Sequence, residues 1–297
     1  MTDPPESRTG LLYGIAANVL WGVLPLYLNL LKGVDALQVL SHRVLWSLLI
    51  FGAILLVAGR LRPLLGAARG RTLGLLTVSA ALIAVNWFVY IWSAANGHLV
   101  EASLGYFITP LVNIALGTML LGERLARLQA VAIGVAGFGV LLAALNGGGA
   151  IWISLTLALS FSFYGLIRKV VAIDALGGLT IETALLTPFA LGLLLYVGSN
   201  GEAAFGRSGA TDTLLILAGP VTALPLLLFA SGARRLRYTT LGLLQFIAPT
   251  LLLLQAVILY QEPIRPVQLA TFSLIWLGCA LYAWSSIRAA RHLGVQA

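Results

Sequence analysis

Apolar residues run along this chain in long blocks, and polar residues collect in the short stretches between the blocks. A helix needs about 20 mostly apolar residues to cross a hydrocarbon core about 30 Å thick. The pattern therefore predicts an all-α membrane protein with ten transmembrane helices. The predicted spans cover residues 10–30, 37–58, 73–95, 101–121, 128–146, 151–168, 178–198, 212–232, 239–260 and 266–287.

The composition agrees with lipid as the solvent for most of the chain. Sixty per cent of the residues are hydrophobic and only 9% are charged, whereas a soluble domain has about 25% charged residues. A soluble fold cannot bury this much apolar surface. The chain has a single cysteine, Cys279, which lies inside an apolar block. A single cysteine excludes an intramolecular disulfide.

The basic residues indicate how the chain is oriented in the membrane. The chain has 18 Lys and Arg residues against 10 Asp and Glu residues, and the basic ones lie in short clusters between apolar blocks, a pattern that argues against a nucleic-acid partner. Basic residues mark the cytoplasmic side of a membrane protein. With the N-terminus inside, all basic residues fall on the cytoplasmic side except four, so both termini are predicted to be cytoplasmic. The four are Lys32, Arg43, Arg207 and Arg265.

The chain also contains an internal repeat. Phe-Ile-Thr-Pro at 107–110 recurs as Phe-Ile-Ala-Pro at 246–249, an offset of 139 residues. We interpret the chain as two five-helix repeats, residues 1–146 and 147–297, joined at a glycine-rich stretch. Further residues that recur at the same offset are Glu123 and Glu262, and Gln129 and Gln268.

Five helices in each repeat imply that the two halves are inverted relative to each other. Inverted repeats are typical of secondary transporters, in which two equivalent halves open a central site alternately to the two sides. We therefore predict a secondary transporter that moves a small organic metabolite or drug-like solute by alternating access. The alternative at this point is a duplicated scaffold without a transport role.

Several motifs carry a family resemblance. They are His-Arg-Val-Leu-Trp-Ser at 42–47, Asn-Trp-x-x-Tyr-Ile-Trp at 86–92, Glu-Ala-Ser-Leu-Gly-Tyr-Phe-Ile at 101–108, Tyr-Gly-Leu-Ile-Arg-Lys at 164–169 and Gly-x-x-Gln-x-x-x-Pro-Thr at 242–250. With these motifs the chain resembles the RarD branch of the EamA family, in the drug/metabolite transporter superfamily. The resemblance implies a ten-helix, two-repeat carrier of the bacterial inner membrane. It also implies a central cavity lined by the first four helices of each half.

Two positions depart from the pattern of that branch. Asn29 and Gln38 stand where a lysine and a glutamate are common. Both charges are absent together, so the resemblance assigns no role to this pair. The neighbouring Lys32 is the candidate to replace the missing lysine.

Ionisable residues inside spans normally face protein or a water-filled cavity, because lipid disfavours their charge. Arg43 and Glu101 lie in one half near the same side, so an ion pair between them is sterically plausible, and we hypothesise it for the state that is closed to the outside. At the repeat offset, Arg43 corresponds to Glu182, and Glu101 corresponds to Thr240, three residues after Arg237. We hypothesise that these charges are gating latches or anchors for a zwitterionic substrate. The alternative is ion pairs that only fix helix ends.

Three residues are candidates for carrying a proton that is coupled to transport. An unperturbed imidazole titrates near about pH 6.5, so His42 is a candidate coupling group, although a hydrogen-bonded structural histidine is the alternative. Glu101 and Glu182 are the stronger candidates for carrying a coupled proton. The sequence leaves proton coupling, sodium coupling and facilitated diffusion open.

Aromatic and amide side chains inside the spans are candidates for lining a cavity. Such a lining suits a flat or amphipathic organic solute, although packing or interfacial anchoring is the alternative for each residue. Tyr106 and Gln245 stand four residues before Pro110 and Pro249, where a proline leaves a carbonyl without its helical hydrogen bond. The candidate cavity residues are Trp21, Arg43, Asn86, Trp87, Tyr90, Tyr106, Tyr164 and Gln245.

Other functions have weaker support in the sequence. The chain has no G-x-x-x-x-G-K-[ST] run and no His-Glu-x-x-His run, so we expect no enzyme, no metal site and no cofactor. A lipid or lipid-linked headgroup flippase is the alternative function, because a basic rim also suits anionic headgroups. Gly134, Gly137 and Gly139 fit either a homodimer seam or packing within one chain.

Overall fold

The computed structural model describes residues 8–122, 126–146, 150–236, 238–261 and 263–294. These residues form helices and no strand. The helices are α1 (Arg8–Leu30), α2 (Ala36–Val57), α3 (Leu61–Ala67), α4 (Gly70–Ala95), α5 (Leu99–Leu120), α6 (Arg127–Asn146), α7 (Ile151–Val170), α8 (Ala175–Ser199), α9 (Gly209–Ala233), α10 (Tyr238–Leu244), α11 (Ile247–Ile258) and α12 (Pro266–Gly294).

Eight helical segments in the described chain are long and apolar enough to cross a membrane. They are α1, α2, α4, α5, α7, α8, α9 and the segment Thr240–Ile258, which covers most of α10 and α11. The apolar parts of α6 and α12 are shorter, Arg127–Leu142 and Pro266–Tyr282. The chain is therefore an all-α, multi-pass membrane protein, in which eight of the ten predicted spans meet this length criterion.

Some residues singled out from the sequence lie outside the described ranges. These are the repeated glutamates Glu123 and Glu262, the candidate gating residue Arg237 and the glycine linker 147–149.

Two local features differ from the predicted spans. The predicted connector 60–72 contains the short helix α3, in which Pro63 occupies the first turn, where its missing N–H leaves no hydrogen bond unmade. The predicted span 239–260 is interrupted at Gln245 and Phe246. Pro249 has no N–H to donate to the carbonyl of Gln245, which accounts for the break. The equivalent Pro110 lies inside the continuous helix α5.

Helix starts in the two halves use equivalent side chains. Asp35 accepts hydrogen bonds from two backbone N–H groups at the start of α2, and Asp174 accepts one from Gly177 at the start of α8. Gln129 and Gln268 each accept a hydrogen bond of 2.8 Å from the backbone N–H three residues earlier, before α6 and α12 respectively. Each of these pairs is separated by the offset of the sequence repeat.

Helices of the first half, α1 to α6, pack mainly against helices of the second, α7 to α12. Helix α1 packs against α9 and α11, α2 against α8 and α9, α4 against α7 and α8, α5 against α7 and α11, and α6 against α12. At one end of the bundle, which we call the basic end, these contacts are close. The basic end is defined by five basic residues whose loops and helix ends contact one another: Arg60, Arg168, Lys169, Arg234 and Arg235.

The contact between α6 and α12 depends on two glycines. A Cβ atom at Gly139 would lie 3.0 Å from the carbonyl oxygen of Thr271, and one at Gly278 would lie 2.6 Å from that of Ala132. A Cβ atom at Gly134 or Gly137 would meet nothing within 4 Å. Only Gly139, of the three glycines noted in α6, therefore serves packing within the chain.

Candidate functional site

A central cavity lies between the two halves of the bundle, with about 560 Å³ of space not filled by protein atoms. Helices α1, α2, α4 and α5 contribute one side, and α7, α9 and the α10–α11 segment contribute the other. Its lining residues are Asn18, Trp21, Leu24, Arg43, Asn86, Trp87, Tyr90, Tyr106, Thr109, Phe161, Leu226, Gln245, Ala248, Pro249 and Leu252. All the predicted cavity residues except Tyr164 are in this set.

Arg43 places a guanidinium group on the wall of the cavity. The residue is 3% exposed, and its Nε donates a 2.7 Å hydrogen bond to the hydroxyl of Thr222 on α9. The guanidinium carbon lies 4.9 Å from the ring centre of Trp87, a cation–π contact. Its Nη1 is buried and has no hydrogen-bond partner in the structure.

The predicted ion pair between Arg43 and Glu101 is not present in this structure. Glu101 lies in the first turn of α5 and its carboxylate is 3.5 Å from Nδ1 of His98. Arg43 lies two turns into α2 and points to Thr222 and Trp87. The two side chains belong to one half, but they face different neighbours at different depths.

An amide at the centre of the cavity wall connects α4 with α5 and α7. The Asn86 amide donates hydrogen bonds of 3.0 Å to the carbonyl of Leu157 and to the hydroxyl of Ser160, and its oxygen accepts one of 3.1 Å from Tyr106. The ring of Tyr90 packs edge-on against Tyr106 at 5.7 Å. The hydrogen bond to Tyr106 and the ring contact of Tyr90 place both tyrosine rings on the cavity wall.

Two further residues of the cavity lining make contacts between the two halves. Trp21 packs edge-to-face on Phe161 at 5.4 Å and against Phe229 at 5.3 Å. Gln245, at the break between α10 and α11, accepts a hydrogen bond from the amide of Asn113 on α5. Both candidate residues, Trp21 and Gln245, therefore contact the opposite half of the protein.

Tyr164 does not line the cavity, contrary to its place among the candidates. It lies fully buried one turn beyond Phe161, with the two rings 5.7 Å apart. Phe161 faces the cavity, and the next turn of α7 enters the packed region near the basic end. The motif at 164–169 places Tyr164 in this helix but does not show which turn of α7 faces the cavity.

Glu182 belongs to a buried cluster near the basic end. Its carboxylate accepts a 2.6 Å hydrogen bond from the hydroxyl of Ser79 on α4 and lies 3.6 Å from Nη1 of Arg168. Arg168 also donates to the carbonyls of Asp174 and Ala175 at 3.1 and 3.0 Å. In this structure Glu182 is thus paired with Arg168 and accepts a hydrogen bond from Ser79.

His42, next to Arg43 in α2, is buried and stacks on Phe205 at a ring distance of 5.2 Å. Among the described residues, neither of its ring nitrogens has a hydrogen-bond partner. The predicted alternative of a hydrogen-bonded structural histidine therefore does not match its contacts in this structure.

A second pocket, which we call the vestibule, opens at the end opposite the basic end. It contains about 750 Å³ of unfilled space and is lined by residues of α1, α2, α4 and α5 and by Tyr260. Lys32 and Asn29 lie on its wall. Gln38 ties α2 to the segment after α8, since its amide donates to the carbonyl of Glu202 and accepts from the N–H of Ala204.

Several cavity residues were not among the candidates from the sequence. Asn18 and Thr109 are polar residues inside predicted spans, which is a usable signal. Phe161 carries no such signal, because a phenylalanine in an apolar block is indistinguishable from a lipid-facing one. Thr222 was missed because its role depends on Arg43, which is distant in sequence. Within the described ranges, no group of three His, Cys, Asp or Glu side chains is placed to hold a metal ion.

Comparison with known proteins gives consistent results. The model of the EamA-like transporter family matches residues 8–145. A protein RarD of Streptomyces exfoliatus is 46% identical over 97% of this chain and 92% of its own length. An uncharacterized transporter of Pseudomonas aeruginosa is 44% identical over 96% of this chain and 97% of its own length.

The fold of this chain is similar to that of a protein whose crystal structure has been solved. That structure aligns with a TM-score of 0.65 over 93% of this chain and 99% of its own, at 20% identity, a similarity that concerns the fold alone. The family model and the name of the Pseudomonas aeruginosa relative support a transporter, in agreement with the expectation of a non-enzyme. They give no support to the flippase alternative.

Proposed function

This chain belongs to the RarD branch of the EamA-like transporter family, and on that premise we propose that it is a secondary transporter of a small organic solute. It works by alternating access in the bacterial inner membrane. The observation that carries the proposal is the central cavity, which lies between the two halves and takes its walls from both. Relative movement of two such halves changes which end of the cavity is open.

Equivalent helix caps support two inverted five-helix repeats. Asp35 caps α2 beside the vestibule, and Asp174 caps α8 at the basic end, where it also pairs with Arg60. One repeat offset separates the two aspartates, and they lie at opposite ends of the bundle. This is the arrangement that an odd number of spans in each repeat requires.

The helix contacts support the same symmetry. If α1, α2, α4, α5 and α6 correspond to α7, α8, α9, the α10–α11 segment and α12, the contacts between the halves form matching pairs. The contact of α5 with α7 matches that of α11 with α1, and that of α2 with α9 matches that of α8 with α4. Helices α6 and α12 correspond to each other and pack together.

The two ends of the cavity differ, as one state of an alternating carrier requires. The vestibule opens at one end. At the basic end, the start of α1 packs on the end of α9, where a Cβ atom at Gly10 would lie 3.0 Å from the Cβ of Arg235. In the opposite state, the contacts at the basic end separate and the vestibule closes.

Reconstitution tests this function. The purified protein in liposomes should exchange members of a metabolite mixture, and repeating the assay with a pH gradient identifies proton coupling. Leu226→Trp should block exchange because Leu226 lines the cavity on α9 at 2% exposure. Leu224→Trp is the matched control, since Leu224 is 52% exposed on the same helix. Lipid headgroup reorientation without solute exchange would contradict the proposal.

A further inference from the structure

The central cavity and the vestibule have linings of the same sign of charge. Arg43 is the one charged residue among those that line the central cavity, and Lys32 is the one charged residue among those that line the vestibule. Neither lining set, taken over the described residues, includes an aspartate or a glutamate. Each of the two linings therefore carries one cation and no carboxylate.

The charge of Arg43 is not neutralised by the protein in this structure. Within the part of the chain that the structure describes, two arginine–carboxylate ion pairs and one contact between His98 and Glu101 occur, and Arg43 is in none of them. Its contacts are the neutral hydroxyl of Thr222 and the ring of Trp87. A buried guanidinium with a free N–H group attracts an anionic acceptor, because an uncompensated buried charge is costly.

Three acidic groups at the vestibule end of the bundle already have other partners. The carboxylate of Asp35 caps α2, that of Glu101 pairs with His98, and that of Asp212 accepts a hydrogen bond from the N–H of Gly206. They therefore do not compete with a solute for Arg43 in this structure.

The rest of the cavity suits a flat apolar body. Trp21, Trp87, Tyr90, Tyr106 and Phe161 supply aromatic surfaces around the same space. The hydroxyl of Tyr90 is buried without a hydrogen-bond partner. Among the described residues, Nη1 of Arg43 and the hydroxyl of Tyr90 are therefore two buried donors without a partner, both on residues that line the cavity, and a carboxylate has two oxygens that accept hydrogen bonds.

We propose that the transported solute is an organic anion, with a carboxylate that binds Arg43 and a flat apolar body that packs on the aromatic walls. Lys32 attracts the anion into the vestibule before it reaches Arg43. This inference rests on the proposed function, since it names the solute class of the same cavity.

A defined solute mixture tests the inference in liposomes containing the full chain. Each carboxylic acid in the mixture, such as phenylacetate, is accompanied by its amide and by an amine of the same carbon skeleton. The acids should exchange and their amides and amines should not. Arg43→Gln should reduce acid exchange about tenfold or more, the loss expected for one charge-assisted hydrogen bond. Arg43→Lys should retain part of the exchange, because it keeps the charge.

Arg207→Gln is the matched control, because Arg207 is exposed in the segment between α8 and α9 and donates to the carbonyl of Gly201. It should exchange acids like the parent. Exchange of amides or amines at the rate of the acids would overturn the inference, as would unchanged acid exchange by Arg43→Gln. If the defined mixture does not move but a broad metabolite mixture does, the solute class is wrong and the carrier stands. If neither moves, the proposed function itself fails.

Discussion

Arg168 and Glu182 form an ion pair that is almost completely shielded from solvent, with side-chain exposures of 1% and 2%. The pair between Arg60 and Asp174 is shorter, at 2.6 Å, but its side chains are 55% and 40% exposed. In the buried pair, removal of one partner leaves the other charge without compensation. In the exposed pair, water takes the place of the lost partner.

Replacement of Arg168 should therefore destabilise the protein far more than replacement of Arg60. We expect Arg168→Met to cost about 3–5 kcal/mol of unfolding free energy and Arg60→Met to cost about 1 kcal/mol or less. Thermal unfolding of the purified variants in detergent measures the difference. Equal losses for the two variants would contradict the assignment of the buried pair. Arg168→Met with Glu182→Leu should recover part of the loss.

Individual residues show what the sequence could and could not predict. Arg43 and Asn86 were predictable, because a charged or amide side chain inside an apolar span has to find protein or cavity. The partner of Glu182 was not predictable, because the repeat offset pointed to the neighbourhood of Arg237. The sequence places Arg168 only among the basic residues of the cytoplasmic side. The direction of a side chain at the end of a span depends on which helix packs against it. The sequence pattern does not give that helix.

At the scale of the helices, the contact between α5 and α7 depends on a small residue. A Cβ atom at Gly105 would lie 2.8 Å from the carbonyl oxygen of Ser154 and 2.9 Å from its Cα, so backbone would have to move. The same region holds the hydrogen bond from Ser154 to the carbonyl of Glu101. This contact joins the two halves beside the cavity.

Gly105→Ala should separate α5 from α7 and destabilise the protein by about 1–3 kcal/mol, the usual cost of overpacking. Gly134→Ala in α6 is the control, since a Cβ atom there meets nothing within 4 Å. That change should be neutral or stabilising, because alanine favours a helix over glycine by about 1 kcal/mol. Melting temperatures in detergent compare the two. If the Gly105→Ala variant is as stable as Gly134→Ala, α5 and α7 pack less closely in the protein than they do in this structure.

The helix pattern was predictable because each apolar block is long and is bounded by polar residues. The start of α2 after Asp35 and that of α8 after Asp174 follow from capping, although neither cap was singled out beforehand. The break at Gln245 was not predicted as a break, since Pro110 in the equivalent position leaves α5 continuous. Whether a proline bends or interrupts a helix depends on its surroundings in the tertiary structure.

At the scale of the whole molecule, the distribution of basic residues predicts orientation. The basic end carries Arg60, Arg168, Arg234 and Arg235, and the opposite end has Lys32 and Arg207. A topology reporter fused after Ala297 should therefore be cytoplasmic, and one inserted at Gly201 should be external. Phosphatase and fluorescent-protein fusions measure this in intact cells. The reverse pattern would contradict the orientation, and two reporters on the same side would contradict the three spans predicted after Gly201.

The closed basic end is the part of the molecule that alternating access requires to open. Helix α1 meets α9 there, and a cysteine pair at Gly10 and Arg235 has Cβ positions 3.0 Å apart. Disulfides have Cβ distances of about 3.5–4.5 Å, so a small shift permits the bond. A matched pair at Gly139 and Leu274, also 3.0 Å apart, joins α6 to α12 away from the cavity.

Solute exchange by the cross-linked protein tests alternating access most directly. In a Cys279→Ser background, the disulfide between Gly10→Cys and Arg235→Cys should stop exchange in liposomes, and reduction should restore it. The disulfide between Gly139→Cys and Leu274→Cys should leave exchange unchanged. If the protein with its basic end locked exchanges solute at the rate of its reduced form, that end does not open during transport, and the alternating-access account is wrong.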